Sequence, residues 1–319
     1  MDLPTITDLD VAGKRVLLRL DLDTDPAEND FRIKSSEETL NYLKEKGATI
    51  IIIAHKGRPE GKVDESLSLK PFQTIFDKWE AEVKENLRFN PGEESNDENF
   101  AREIASWGDI YINEAFASSH RKSVSIIGLP KLLPHAVGFR FAKEVENLSK
   151  VFEDPIRPLL FVIGGSKKDK PEYIKSLESL SDKILVGGRL PEYYGDLALE
   201  SVRNKGEGDK LIIANLVQDK EDVTLNSVEV FEKEISKAKM IVLAGPMGKY
   251  EVEGHGQGTE RVFRAVANSN AFKIVGGGDS LTVIAKYALE DKFNWVSVGG
   301  GAMLEFLANM TLPGIEALG

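Results

Sequence analysis

The sequence has no cysteine and only 4 histidines among its 319 residues. Disulfides, thiolate nucleophiles and cysteine-ligated metals are thereby excluded, and imidazole-rich metal sites are disfavoured. Lack of disulfides fits a reducing compartment. Long hydrophobic runs are missing too: the longest purely aliphatic one is IIII at 50–53, against the roughly 20 residues a bilayer-crossing helix needs. The N-terminus, MDLPTITDLDVAGKRVLL, shows early acidic residues and no apolar stretch ahead of a small-residue cleavage site, so no secretory signal is read and a cytoplasmic protein is expected. Positive charge is in deficit, with 41 Lys and Arg against 52 Asp and Glu and a net charge of −11. That balance argues against non-specific binding to nucleic acid or anionic lipid, so an anionic ligand must be held by a local basic patch. With 41% hydrophobic and 29% charged residues the chain has the composition of a folded protein. At roughly 150 residues per domain its length suggests two domains.

What is present is a recurring pattern. Aliphatic runs ending in small or glycine-rich turns occur at 15–21, 49–55, 109–115, 159–165, 183–188, 210–215, 240–246, 272–278 and 295–301. Each is short, rich in Val and Ile and continuously apolar, which suits strands covered on both faces and hence a parallel sheet. Helical segments alternate with them. The segment 35–47 has Ser35 and Glu38 at capping-box spacing and Gly47 where a C-terminal glycine cap belongs; 259–269 and 280–290 are two more. The fold class is therefore α/β. The stretch 139–154, apolar at Phe141, Val145, Leu148, Val151 and Phe152 and followed by DPIRP, predicts a long helix at a domain boundary, with an ordinary surface helix as the alternative.

Two groups of residues point to chemistry. In the second half, glycine turns follow predicted strands at GGSKKDK (164–170), GGR (187–189), GPMG (245–248), GGGDS (276–280) and GGGAMLEF (299–306). In a parallel sheet these turns share the carboxyl edge, where bare amides and helix N-termini approach phosphate oxygens. Asp279 reads either as an N-cap or as a contact to nucleotide-borne Mg²⁺. In the first half, Arg32, His55, Arg58, Arg88, His120 and Arg121 stand near strand ends, an anion cradle in an otherwise acidic chain. DLDTD at 21–25 fails as a calcium loop, because Pro26 stands where glycine is needed and Arg32 where Glu is needed. The same pattern suits an aspartyl phosphatase with Asp21 as nucleophile and Mg²⁺ as cofactor. GHGQGTE at 254–260 follows an acidic loop rather than a strand and is read as a turn, not a dinucleotide fingerprint.

Taken together, KRVLLRLDLD, RIKSSEETLNYLKEKGATIIIIAHKGRPEGKVDESLSLKP, ENLRFNPGEESNDENFAREIAS, DIYINEAFASSHRKSVSIIGLP, GPMGKYEVE, IVGGGDS and VGGGAMLEFLANMTLPGIEAL resemble phosphoglycerate kinase, in order and spacing, over nearly the whole chain. The resemblance implies two Rossmann-like three-layer domains with mostly parallel sheets, joined by a hinge helix. Residues 1–142 would bind phosphoglycerate, 143–302 would bind nucleotide, and 303–319 would pack back toward the first domain. The substrates implied are 3-phosphoglycerate or 1,3-bisphosphoglycerate and ADP or ATP with Mg²⁺, handled by a monomeric enzyme with neither nucleic-acid nor membrane partners. Carried over residue by residue, Asp21, Asp23, Arg32, His55, Arg58, Arg88, His120 and Arg121 match phosphoglycerate positions. Gly165, Lys167, Lys170, Gly187, Gly188, Pro246, Glu251, Gly277, Gly278, Asp279 and Ser280 match nucleotide positions, with Asp279 the metal contact. Arg32, Lys167 and the amides of Gly276 and Gly299 would neutralise charge on the phosphoryl group in flight.

The chain also departs from the family it resembles. It is shorter, with material missing between about residues 77 and 86 and between about 195 and 238. Asp23 replaces an asparagine, adding negative charge beside an acidic ligand. Lys167 and Lys170 are three apart where the family has four; Arg189 replaces a glycine and Ala244 an asparagine. These changes keep open a second reading, a catalytically weakened binding or regulatory protein of the same fold.

Overall fold

The computed structural model describes residues 3–167, 170–194 and 209–319. The chain divides into two compact units, residues 1–146 with 311–319, and residues 147–310.

In the first unit the strands are β1 (Arg15–Arg19), β2 (Thr49–Ile53), β3 (Glu82–Val83), β4 (Ile110–Asn113) and β5 (His135–Val137). They form a sheet in the order β3-β2-β1-β4-β5, parallel throughout, with Val16 opposite both Ile50 and Ile110. The alternating sides of β1 and β2 are both buried, which is why their sequences read as unbroken apolar runs. Leu40 and Leu43 of helix Glu37–Glu45 pack with Val16, Leu18, Ile50 and Ile52 in one core. The capping box expected at Ser35 is not formed. A short helix, Phe31–Ser35, ends there, Ser35 Oγ donates to the Arg32 carbonyl at 2.7 Å, and the next helix starts after Ser36. Gly47 does take the left-handed conformation expected of a terminating glycine, with φ +68°.

In the second unit the strands are β6 (Leu159–Ile163), β7 (Lys183–Val186), β8 (Leu211–Ile213), β9 (Met240–Ala244), β10 (Phe272–Gly276) and β11 (Trp295–Ser297). Their order is β11-β10-β9-β6-β7-β8, again all parallel. Phe231, Phe263, Leu243 and Val275 lie in its core. Helix Phe139–Glu153 carries the chain across the division between the units. Helix Gly301–Asn309 belongs to the second unit, and residues 311–319 return to the first, where the Gly314 amide donates to the Ser119 carbonyl at 2.8 Å and Ile315 and Leu318 are buried.

Both sheets have a topological switch point, where successive strands leave in opposite directions. It falls between β1 and β4 in the first unit and between β6 and β9 in the second. Loops at the carboxyl ends of such neighbouring strands diverge and leave a crevice, the usual ligand position in open parallel sheets.

Candidate functional site

In the first unit, the loop after β1 carries Asp21, which is nearly buried, and Arg32 Nε lies 3.6 Å from its Oδ2. Arg32 also donates to the Asp23 carbonyl. Asp30 holds the arginine in place: it caps helix Phe31–Ser35 by accepting the amides of Arg32 at 2.8 Å and Ile33 at 3.4 Å, while its other oxygen takes the Thr24 hydroxyl at 2.7 Å. The Asp23 carboxylate accepts the Gly57 amide at 2.8 Å, pinning the loop after β2 against the loop after β1. His55 and Arg88 are both buried. Arg88 donates to the Gly57 carbonyl at 2.6 Å and pairs with Glu94 at 3.3 Å. His55 Nδ1 is 2.6 Å from a guanidinium nitrogen of Arg19, the last residue of β1.

Burial first, then the charges of Arg19, Arg88, Arg121 and His120, hold the His55 imidazole well below its ordinary pKa, so it is neutral. Burial and the neighbouring Arg121 likewise lower the pKa of Arg88. Cations crowded together in this way repel one another, and an anion among them relieves the repulsion. Arg58 is exposed and Arg121 half-buried; among the described residues neither guanidinium has a partner, which leaves their donors for a ligand.

In the second unit, the turns after β6, β7 and β9 are sewn together by their backbones. The Gly165 amide donates to the Pro246 carbonyl at 2.7 Å, Arg189 to Gly165 at 2.9 Å, and Gly188 to Met247 at 3.1 Å. Gly188 has φ +61°, and a Cβ there would stand 2.4 Å from the Gly165 nitrogen, so only glycine fits. The Lys170 ammonium donates to the carbonyls of Gly164 at 2.5 Å and Ala244 at 3.3 Å, across the ends of β6 and β9. Gly277, with φ +103°, and Gly300 precede helices Gly278–Lys286 and Gly301–Asn309. A Cβ on Gly300 would lie 3.0 Å from Gly277 Cα, so the two helices begin side by side and bring two sets of unpaired first-turn amides together. Ser280 is buried and accepts the Gly245 amide at 2.8 Å, tying one of these helices to the turn after β9.

A cavity of about 300 Å³ opens here. Gly165, Ser166, Gly188, Pro246 and Gly248 supply backbone to its wall, and Arg189, Glu221, Lys249, Glu251 and Asp279 ring it with charge. Arg189 pairs with Glu192 at 2.7 Å and Lys249 with Glu221 at 3.3 Å. Among the described residues no group of three or more His, Asp or Glu is arranged to hold a metal. One exposed carboxylate, Asp279, stands in the first turn of its helix. That donor set suits Mg²⁺ bound mainly through a nucleotide's phosphates and water, with a single protein ligand.

Asp21, Asp23 and Arg32 are therefore joined by direct contacts, Arg88 meets Asp23 through the Gly57 backbone, and His55 is held by Arg19 while the charges of Arg88, His120 and Arg121 act on its imidazole. Gly165, Gly188, Pro246, Glu251 and Asp279 line one cavity, with Gly187 closing the turn below, its amide on the Ile163 carbonyl at 2.9 Å. Lys167 is exposed, and among the described residues its ammonium has no partner. Two expected amide donors are engaged elsewhere. Gly276 sits inside the β10 ladder opposite Ala244 and Ser297, and the Gly299 amide donates to Ser297 Oγ at 3.0 Å. Asp279 is not an N-cap, since Gly277 occupies that position, and 257–260 is the first turn of helix Gln257–Asn268 rather than a loop. The segment 195–208, within one of the shortened stretches, lies outside the described residues. Sequence reading missed Arg19 and the residues behind it, Ser125 and Glu93; the available signal was a cation inside the apolar run RVLLRLD.

The family model described as phosphoglycerate kinase matches this chain at residues 6–84, 77–196 and 196–309. A phosphoglycerate kinase of Finegoldia magna is 33% identical over 392 residues, covering 100% of this chain and 99% of that protein. One from Herpetosiphon aurantiacus is 35% identical over 391, with 100% and 99% covered. These alignments run some 70 positions beyond the 319 residues here, as expected of a shortened chain. Among solved structures, phosphoglycerate kinase from Coxiella burnetii superposes with TM-score 0.82 at 29% identity, covering 99% of each chain. That from Pyrococcus horikoshii OT3 gives 0.83 at 26%, covering 99% of this chain and 98% of the other. A binding protein without activity is not favoured by matches of this length to proteins named as kinases.

Proposed function

Since the chain belongs to the phosphoglycerate kinase family, enzymes that transfer phosphate to the carboxyl group of 3-phosphoglycerate, we propose that the cationic cluster of the first unit holds the phosphoglycerate and the glycine-lined cavity of the second holds ADP or ATP. The observation that carries this reading is the neutral, buried His55 surrounded by Arg19, Arg88, Arg121 and His120, with the Arg121 guanidinium free of any partner among the described residues. The match to the cavity is chemical: bare backbone, an ammonium and a helix N-terminus, with a second helix beginning beside that one, are what phosphate oxygens require.

In the forward reaction an oxygen of the ADP β-phosphate attacks the acyl phosphorus of 1,3-bisphosphoglycerate. The bond from phosphorus to the carboxyl oxygen breaks, leaving 3-phosphoglycerate and ATP, and no proton changes hands. No general base is needed. The protein has to place the reactants in line and spread the charge of the transferred group. On its own unit, Arg32 is braced by Asp21 and by the Asp30 cap to present its guanidinium to the acyl phosphate. On the other, Lys167 and the first-turn amides of helices Gly278–Lys286 and Gly301–Asn309 receive nucleotide phosphates. Asp279 would hold Mg²⁺, which offsets the charge of the phosphate chain when bound. A monomer working in the cytoplasm belongs to the same reading.

Purified protein assayed with a coupled readout should consume ATP only when 3-phosphoglycerate and Mg²⁺ are both present. Arg32→Ala should lower kcat about a hundredfold while shifting folding stability by less than about 1 kcal/mol, because a group acting on developing charge contributes little to the fold. Binding of 3-phosphoglycerate without any turnover would restore the non-catalytic reading, and ATP-independent phosphate release abolished by Asp21→Asn would favour the phosphatase.

A further inference from the structure

We propose that Arg19 is a positioning residue for the phosphoglycerate site: it fixes His55 as the neutral imidazole with its proton on Nε2, so that His55 offers a single N–H donor to an oxygen of the bound acid. The proposal rests on the reading of the first unit given above. Arg19 is 1% exposed and His55 3%. The guanidinium donates through Nε to Ser125 Oγ at 2.9 Å, through one terminal nitrogen to the Leu20 carbonyl, and through the other reaches His55 Nδ1 at 2.6 Å. A guanidinium has only donors and keeps its proton in proteins. At that separation Nδ1 must therefore supply the lone pair. Of the three protonation states open to an imidazole, the one with a proton on Nδ1 and the doubly protonated one would set N–H against N–H; only the Nε2–H form remains.

The arginine is itself held rigidly. Ser125 Oγ, which accepts from Arg19, donates to Glu93 Oε1 at 2.6 Å, and the Ser125 amide donates to Glu93 Oε2 at 3.0 Å. Glu93 is 1% exposed, so a buried carboxylate balances the buried guanidinium through one hydroxyl. The charged and titratable groups facing His55 are Arg19, Arg88, Arg121 and His120, and all oppose an imidazolium. The carboxylates nearby are committed elsewhere, Asp23 to the Gly57 amide and Glu94 to Arg88. On the far edge of the ring, Nε2 has no partner among the described residues. A fixed neutral donor recognises a carboxylate or hydroxyl oxygen by direction, and its contribution does not fade as pH rises through the ordinary histidine range.

The test is the protonation state itself. In the wild-type protein with ¹⁵N-labelled histidine, where only 4 rings contribute and His55→Gln identifies the signal, His55 should show an unprotonated Nδ1 and a protonated Nε2, unchanged between pH 6 and 8. A proton on Nδ1, or a titration in that interval, overturns the proposal whether or not the Arg19 variants fold. Arg19→Met should mix the two tautomers, restore titration and raise KM for 3-phosphoglycerate about tenfold, more at high pH than at low, with kcat changed far less. Arg19→Lys, which still has only donors, should recover the wild-type tautomer and most of the affinity; a tautomer indifferent to both substitutions also defeats the idea. If the spectrum is as expected but ATP turnover is absent, the kinase reading fails and this one stands.

Discussion

Asp23 shows how one side chain can serve the fold and oppose the ligand. Its carboxylate accepts the Gly57 amide, joining the loops that carry Arg32 and His55, yet it places a negative charge beside a site for an acid. An asparagine keeps an oxygen for that amide and removes the charge. Asp23→Asn should therefore tighten 3-phosphoglycerate binding several-fold, of order 1 kcal/mol for one partly screened charge, with little change in stability. Weaker binding in calorimetry would show that the carboxylate itself is needed. Residue-scale chemistry was legible in the sequence wherever a polar group punctuates the end of an apolar run, as at Asp21, Arg32, His55 and Arg88. It was hidden where the polar group lies within such a run, as at Arg19, or where the answer depends on a hydrogen bond made elsewhere. The amide of Gly299 looks free in sequence, but the hydroxyl of Ser297 has already taken it.

Among the elements, helix Phe139–Glu153 starts on the carboxyl of a buried glutamate. Buried Glu114, one residue past β4, accepts the amides of Arg140 at 3.1 Å and Phe141 at 3.0 Å together with the Thr39 hydroxyl, and Thr39 in turn accepts the Phe139 amide at 3.0 Å. Burial raises its carboxyl to about 7, against an opposing pull from those donors. The folded state then binds this proton more tightly than the unfolded chain, so the associated stability is full below about pH 4.5 and is lost as pH climbs toward 7, with no further loss above. The span corresponds to about 3 kcal/mol at most. Urea midpoints measured at pH 5 and pH 8 should fall further for the wild type than for Glu114→Gln; equal falls would remove Glu114 from the account. The nine apolar runs that announced strands all became strands, because burial on both faces leaves an unbroken signature. β3 and β5 left no such run, β3 because it is only Glu82–Val83 and β5 because His135–Val137 opens on a polar residue directly after Pro134, and both are defined by pairing with β2 and β4. The capping box at Ser35 failed for the opposite reason: the motif was present, but a separate helix capped by Asp30 occupies that stretch.

For the whole molecule, the decisive contrast is between a net charge of −11 and one unit that gathers its cations around His55. If each unit holds one substrate, hydrogen exchange should separate them. Saturating 3-phosphoglycerate should slow exchange in peptides from 1–146 and 311–319, and nucleotide with Mg²⁺ in peptides from 147–310, each by up to about a hundredfold when ligand is at a hundred times its Kd. Protection of the peptide containing His55 by nucleotide alone would contradict the assignment. The division into units also sets an order of events at the ribosome. Residues 311–319, with Ile315 and Leu318 buried in the first unit, are translated only after the entire second unit. The half of the protein made first is thus finished last, and until those residues emerge the Ser119 carbonyl beside the cationic cluster waits for the Gly314 amide that closes it.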